Sequence, residues 1–304
     1  MSLRHIPVLV EEVMTLLRCE SGKTYIDATL GGGGHTLEIL KQTAPDGIVI
    51  GIEWDEDAII EARKALIPFD ERVKIFRENF IALPDVLKAM DVESVDGILL
   101  DLGLSSLQLE KVERGFSLRG DGALDMRMDQ RIDPTAADLV NRLSETELAD
   151  TLFEYGEERW ARRIAKAIVQ ERDRAPIQTT QALRRIVHRA IPRRFHPKRI
   201  DAATKTFQAF RIRVNRELEN LREILETGWR LLKKGGRMCV ISFHSLEDRM
   251  VKETFKRLEK EGAGFPNPGG VVCVVTKKPI TPSEEERRRN PRSRSAKLRC
   301  AERV

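Results

Sequence analysis

Four consecutive glycines occupy the middle of DATLGGGGHTLEIL, residues 27–40. Backbone this permissive is destabilising unless something must approach it closely. Two phosphate patterns can be tested on the spacing. The dinucleotide fingerprint G-x-G-x-x-G aligns with Gly31 and Gly33 but meets Thr36 at its third glycine. The Walker pattern requires Gly-Lys-Ser/Thr, and here Gly34 is followed by His35 and Thr36. S-adenosylmethionine fits better. Its methionine portion would lie against the glycine loop, and an acid ending the second strand would take the ribose hydroxyls. Glu53 stands at that place, 22 residues after Gly31, where a carboxylate can accept two hydroxyl hydrogen bonds. Asn79 and Phe80, after the third strand, offer a stacking surface for adenine, although such an aromatic is as often core. A nicotinamide-binding variant of the same sheet stays open on these residues alone.

These residues need a scaffold, and the chain supplies one. TYIDAT (24–29), GIVIGIE (47–53), VKIFREN (73–79) and VDGILLD (95–101) are apolar, strand-like runs. Helical stretches separate them, among them DEDAIIEARKAL and ALPDVLKAM. Continuous apolar strands alternating with helices predict a parallel sheet covered on both faces, a doubly wound α/β domain. After Asp101 the alternation stops. TAADLVNRLSETELADTLFEYGEERWARRIAKAIVQERDR and TTQALRRIVHRAI carry the i, i+3, i+4 apolar spacing of amphipathic helices. Strand signals return at RMCVISF (237–243), after LLKKGGR, which reads as a helix end with a glycine stop. VVCVVTK (271–277) and AKLRCAERV (296–304) complete the series. The expected organisation is a sheet domain over 1–108 and 214–304, split by a helical domain over 109–213. That insertion enters after the fourth strand, at the edge where open parallel sheets bind ligands.

Charge divides the chain in the same way. The whole carries +5, yet Gly156 to Arg216 holds 17 Lys/Arg against 5 Asp/Glu, a net of +12. One segment therefore suits a polyanion such as nucleic acid, and the remainder does not. No run approaches the roughly 20 apolar residues of a membrane span. The N-terminus resembles neither a signal nor a transit peptide, so a cytoplasmic protein is expected. Four cysteines lack any C-x-x-C pair and five histidines lack ligand spacing, so no metal is expected.

HIPVLVEEV, DATLGGGGHT, DLGLSSLQLEKVERGFSLRGDGALDMRMD, YGEERWARRIAKAIV, TKTFQAFRIRVNREL, ISFHSLEDRMVK and NPRSRSAKLRCAE closely resemble successive motifs of the RsmH (MraW) family. These are bacterial cytosine-N4 methyltransferases acting on 16S rRNA of the small ribosomal subunit. The similarity runs from about His5 to Glu302. It implies a class I S-adenosylmethionine-dependent methyltransferase fold with a helical insertion, and a cytidine of the decoding region as acceptor. Carried over, the cofactor site is Gly33, Gly34, His35, Glu53, Phe80, Asp101 and Gln108. The family often has Asp where this chain has Glu53, which keeps the charge and adds a methylene. It also leads one to expect His-Pro where this chain has Asp201-Ala202.

For amine methylation, Asp101 is placed as a hydrogen-bond acceptor at the end of strand four, serving either the cofactor's amino group or the base. Many amino-methyltransferases follow that acid with Pro-Pro-aromatic, but this chain has Leu102-Gly103-Leu104-Ser105. The base must then be gripped elsewhere. RGFSLRGDGALDMRMD offers Phe116 to stack on a flipped cytosine and Asp125 to approach its amine. The alternative makes Leu124, Met126 and Met128 packing residues, with Asp125 and Asp129 as caps or ion-pair partners. His244 follows a strand end on the ligand side and reads as a substrate contact, or as the start of a helix capped through Ser245 and Asp248. RRFHPKR and NPRSRSAK read as flexible basic segments for phosphate contact. Arg162, Arg163, Arg193, Arg194 and Lys198 are the candidates, while Trp160 reads as core of the insertion.

Overall fold

The computed structural model of the chain describes residues 7–260 and 271–304, so His5 and Ile6 of the first motif lie outside the described residues. The chain forms two compact units, one of Met1–Gly103 with Leu218–Val304, the other of Leu104–Glu217. The expected limits at 109 and 213 fall inside the second unit.

The first unit is built on seven strands. They are β1 (Thr24–Asp27), β2 (Ile48–Ile52), β3 (Val73–Phe76), β4 (Val95–Asp101), β5 (Leu232–Ser242), β6 (Val272–Val274) and β7 (Lys297–Arg303). Their order is β3-β2-β1-β4-β5-β7-β6, with β1 to β5 parallel and β7 antiparallel to both its neighbours. This is the doubly wound, mostly parallel sheet expected from the sequence. Both faces are covered, and strand alternation decides which side chain meets which layer. Ile26, Ile50, Ile98 and Val240 pack with Leu83, Leu87, Ile224 and Phe255. Their chain neighbours Tyr25, Val49, Leu99 and Cys239 pack with Val13, Leu17, Ile39 and Leu66 on the other face. Helix Glu56–Leu66 shows why such segments are helical. Asp55 accepts the Asp57 N–H at 3.0 Å as N-cap, and Ala58, Ile59, Ala62 and Leu66 form one buried face.

LLKKGGR requires a correction. Leu232 to Gly236 belongs to β5, not to a helix end. Val95 pairs with Leu232 while Gly97 pairs with Arg237, so β5 accommodates extra residues as a bulge. Gly235, at φ +78°, supplies the left-handed turn.

The chain order reverses at β1, and the backbone opens there. The Ala28 N–H donates to Leu99 O of β4 at 2.8 Å, while the Leu30 N–H donates to Ile52 O of β2 at 2.9 Å. Within two residues the chain leaves one neighbour for the other. A crevice results at the carboxyl edge between β1 and β4.

The second unit is helical. Its longer helices are Ala136–Arg142, Glu145–Gly156, Ala161–Arg172, Thr180–Ala190 and Thr204–Asn215. The stretch that reads as continuously helical from 135 is thus three helices. Ser144 and Glu147 form a capping box that restarts the chain, and Glu157 ends the next helix at φ 47°. Leu148, Leu152, Ile164, Ile168, Leu183, Val187 and Phe210 are fully buried in this unit.

Candidate active site

The crevice is assembled by backbone and side chains of the sheet unit. Gly31 (φ +51°) and Gly33 (φ +80°) take left-handed conformations, and a Cβ on Gly33 would also meet Leu66 Cδ1 at 3.1 Å. Gly32 differs. A Cβ there would meet nothing within 4 Å, so no neighbour in the protein demands glycine and its missing side chain leaves room for a ligand. Helix Gly34–Gln42 begins directly after the loop. Its Thr36, the residue that spoils the third glycine of the dinucleotide pattern, donates through Oγ1 to Asp27 Oδ2 at 2.7 Å. Asp27 is 1% exposed, and burial raises its pKa against the opposing pull of His35 and Thr36.

Glu53 ties the two loops together. Its Oε2 accepts the Gly31 N–H at 2.9 Å, and its Oε1 accepts the N–H groups of Trp54 and Asp55, each at 2.9 Å. Burial nevertheless pushes the carboxyl up to about 7. A carboxylate offers about four lone-pair positions, so with three filled Glu53 can accept one ribose hydroxyl rather than the expected two while these loops hold. Phe80, half-buried, begins a short turn capped by Asn79, whose Oδ1 accepts the Ile81 N–H at 3.2 Å. The ring packs partly against the core, so it combines both roles open to it from sequence.

Asp101 ends β4 at the crevice. The Thr29 hydroxyl accepts its backbone N–H at 2.6 Å. Its Oδ2 lies 3.4 Å from Nε2 of His35, whose side chain is 5% exposed. Burial works against the charged imidazole, but Asp101, then Asp27 and Glu286, outweigh it and raise the His35 pKa. Asp101 Oδ1 and both ring nitrogens of His35 are buried with no hydrogen-bond partner among the described residues. Unpaired buried acceptors are rare because desolvation is uncompensated. Here one lies at a sheet edge that also has a glycine cradle, an acceptor for a ribose hydroxyl and an aromatic. Those four features fit S-adenosylmethionine: an ammonium for Asp101, a ribose for Glu53, an adenine for Phe80 and main chain near Gly32.

The remaining sequence candidates have other surroundings. Gln108 lies in the second unit, buried, where its Oε1 accepts the Ser105 N–H at 3.0 Å in a capping box. Asp125 is held by Arg127, with Nε on Oδ1 at 2.8 Å and an Nη on Oδ2 at 2.9 Å. Both oxygens are committed, the ion-pair alternative weighed from sequence. Asp129 is paired likewise with Arg131. Phe116 is only 7% exposed, so its ring is not offered to a base in this arrangement. Arg193 and Arg194 are exposed on a short turn, Arg193–Phe195.

His244, just past β5, has its Nε2 3.1 Å from Glu247 Oε1. The helix start there is capped differently from the expected pattern. Glu247 reaches back to the Phe243 N–H at 2.8 Å, whereas Asp248 binds Lys297 and Arg299 of β7. NPRSRSAK is likewise no loose segment, since Ser293 is fully buried and donates to Asn290 O at 2.8 Å. Trp160 is half-buried beside Phe195 rather than in the core of its unit. Sequence reasoning missed Asp27, Thr29 and Thr36. The signal was present in DAT at the strand end, an acid and a hydroxyl immediately before the glycines.

Comparison with known proteins agrees with this geometry. The model of the MraW methylase family matches residues 2–304. A protein named ribosomal RNA small subunit methyltransferase H from Desulfotalea psychrophila is 52% identical over 300 residues, covering 99% of this chain and 98% of its own. Proteins of the same name from Geobacter sp. strain M21 and Desulfosudis oleivorans are 50% and 48% identical, over 99% and 100% of this chain and 98% and 100% of theirs. The chain belongs to the MraW methylase family and is an S-adenosylmethionine-dependent methyltransferase.

Proposed function

We propose that this protein methylates N4 of one cytidine in the decoding region of 16S rRNA, acting in the cytoplasm on the small ribosomal subunit. The name shared by its relatives supports the rRNA class, and the motif resemblance supports cytidine N4. The observation that carries the reading is Asp101: a half-unpaired carboxylate, one oxygen of it buried without a partner, at the switch point beside a glycine cradle.

The exocyclic amine of cytosine is a poor nucleophile, because its lone pair is conjugated with the ring. Bound S-adenosylmethionine supplies an electrophilic sulfonium methyl. The chain's own task is to align the amine and to stabilise the positive charge that develops on nitrogen. Asp101 Oδ1 accepts a hydrogen bond from an amino group in the crevice. His35 Nε2 lies 3.4 Å from the other oxygen, and the Asp101 carboxylate raises the pKa of that imidazole. Glu53 fixes the glycine loop against β2 and takes a ribose hydroxyl. Phe116 and Asp125 have no part in this scheme, being buried and ion-paired.

The test incubates the protein with methyl-labelled S-adenosylmethionine and small subunits from cells lacking the modification, then maps the labelled nucleotide by mass spectrometry. Label on N4 of a single decoding-region cytidine is expected. Absence of label from both subunits and naked rRNA would overturn the proposal. Asp101→Asn then assigns the acid: a raised dissociation constant for S-adenosylmethionine places it on the donor, and a fall in kcat alone places it on the base.

A further inference from the structure

The helical unit carries an aromatic pair that methyl transfer does not use. The rings of Trp160 and Phe195 lie with centroids 5.2 Å apart and planes tilted by 45°. The Arg159 guanidinium is 5.6 Å from the first and 5.3 Å from the second, and that of Arg194 is 4.8 Å from Phe195. Phe195 is 37% exposed, a large apolar side chain left in water within the most basic segment of the chain. Arg159 and Arg194 are also exposed, and among the described residues neither has a carboxylate partner.

Both aromatics are held by short-range structure. Trp160 caps helix Ala161–Arg172, and its N–H donates to Glu158 Oε1 at 2.9 Å. Phe195 closes the turn that begins at Pro192, with its N–H on Pro192 O at 2.8 Å. A His196 ring nitrogen lies 3.0 Å from Ile191 O, on the far side of the same turn. The rings are therefore placed before any ligand arrives, which lowers the ordering cost of binding.

One exposed ring and one half-buried ring, flanked by guanidinium groups without a carboxylate partner, suit a polyanion that carries flat faces. Single-stranded nucleic acid offers both, its bases stacking on the rings and its phosphates meeting the arginines. We infer that Trp160, Phe195, Arg159 and Arg194 form a stacking platform for a single-stranded stretch of the RNA substrate, outside the nucleotide that is methylated. A duplex would hide its base faces, and an acidic protein would use the arginines without needing the rings. The inference rests on the proposed rRNA substrate for the identity of the strand, and not on which nucleotide receives the methyl group.

The test measures binding of the full-length protein, by fluorescence anisotropy, to a labelled oligouridine and to an abasic ribose-phosphate oligomer of equal length. The oligouridine is expected to bind about tenfold more tightly. Phe195→Leu, with an unchanged melting temperature, should erase that preference, while Phe195→Tyr keeps it. Arg194→Gln should weaken both oligomers alike and reduce the salt dependence by about one released counterion. Equal affinity for the two oligomers, or a preference retained by Phe195→Leu, overturns the platform. Methyl transfer is not read in this measurement, so failure of the rRNA reaction and failure of the platform remain distinguishable.

Discussion

The crevice of the sheet unit and the loop from Val112 to Thr135 in the helical unit both contain acids with little exposure, and they treat them oppositely. In the loop every such acid is paired. Asp125 sits in the fork of Arg127 and Asp129 in that of Arg131. The loop backbone is gathered by Arg114, which donates to the carbonyls of Arg127 and Met128, and by Asn215, which meets Met126 and Met128. In the crevice, Asp101 keeps one oxygen unpaired and shares the other with a buried histidine at 3.4 Å. Polar groups whose partners are all supplied by the fold define shape. Polar groups left unsatisfied are reserved for what the fold does not supply.

Replacing one acid from each region should separate these roles. Asp101→Asn is expected to lower methyl transfer by at least about a hundredfold, the size of losing one preorganised electrostatic contact. Its unfolding free energy should fall by less than that of the next variant, because only the 3.4 Å contact to His35 is lost. Asp125→Asn should do the reverse. Loss of a charge-assisted, bidentate pair at a mostly buried position is expected to cost about 2 kcal/mol of stability by denaturant unfolding. Turnover per folded molecule should hold. If Asp125→Asn abolished transfer with its stability intact, the division between the regions would fail.

The same division explains what could be read before the structure. The sheet was legible because its strands are buried on both faces and appear as unbroken apolar runs. The glycine loop and Glu53 were legible because they follow consecutive strands. The His35–Asp101 pair was not, since 66 positions separate the two and only the adjacency of β1 and β4 joins them. Asp125 was legible as an acid in a suggestive loop, but its commitment to Arg127, two residues on, is one of several geometries that spacing allows. LLKKGGR misled because two glycines stop a helix or bulge a strand equally well, and pairing with β4 decides between them.

Glu53 sharpens the comparison through pH. Its folded pKa of about 7 lies above the ordinary 4.5, so the folded state binds this proton more tightly than the unfolded chain. The free protein should therefore lose stability as pH rises from about 4.5 through about 7. Hydroxyl donors on a ribose favour the anion, so donor binding runs the other way. S-adenosylmethionine should bind about tenfold more weakly at pH 6 than at pH 8, as the anionic fraction falls. Glu53→Gln should flatten that slope in calorimetric titrations. A slope that survives the substitution would move the titration to another group, and Glu53 would join the acids that serve structure alone.

The smallest effect concerns how the crevice holds Asp101 open. β1 and β4 are hydrogen-bonded as far as Ala28, whose N–H reaches Leu99 O at 2.8 Å. One step further the β1 backbone has turned toward β2, and the Thr29 side chain takes over the contact by accepting the Asp101 N–H at 2.6 Å. A hydroxyl thus extends the pairing where the main chain must part to make the crevice. Thr29→Val keeps the volume and leaves that N–H without its acceptor, which should cost about 1 kcal/mol of stability. The end of β4 would also be freer to move, so kcat should fall several-fold with little change in donor affinity. Thr29→Ser restores the acceptor and should recover both. If serine recovered stability but not kcat, the threonine methyl rather than its hydroxyl would be positioning Asp101.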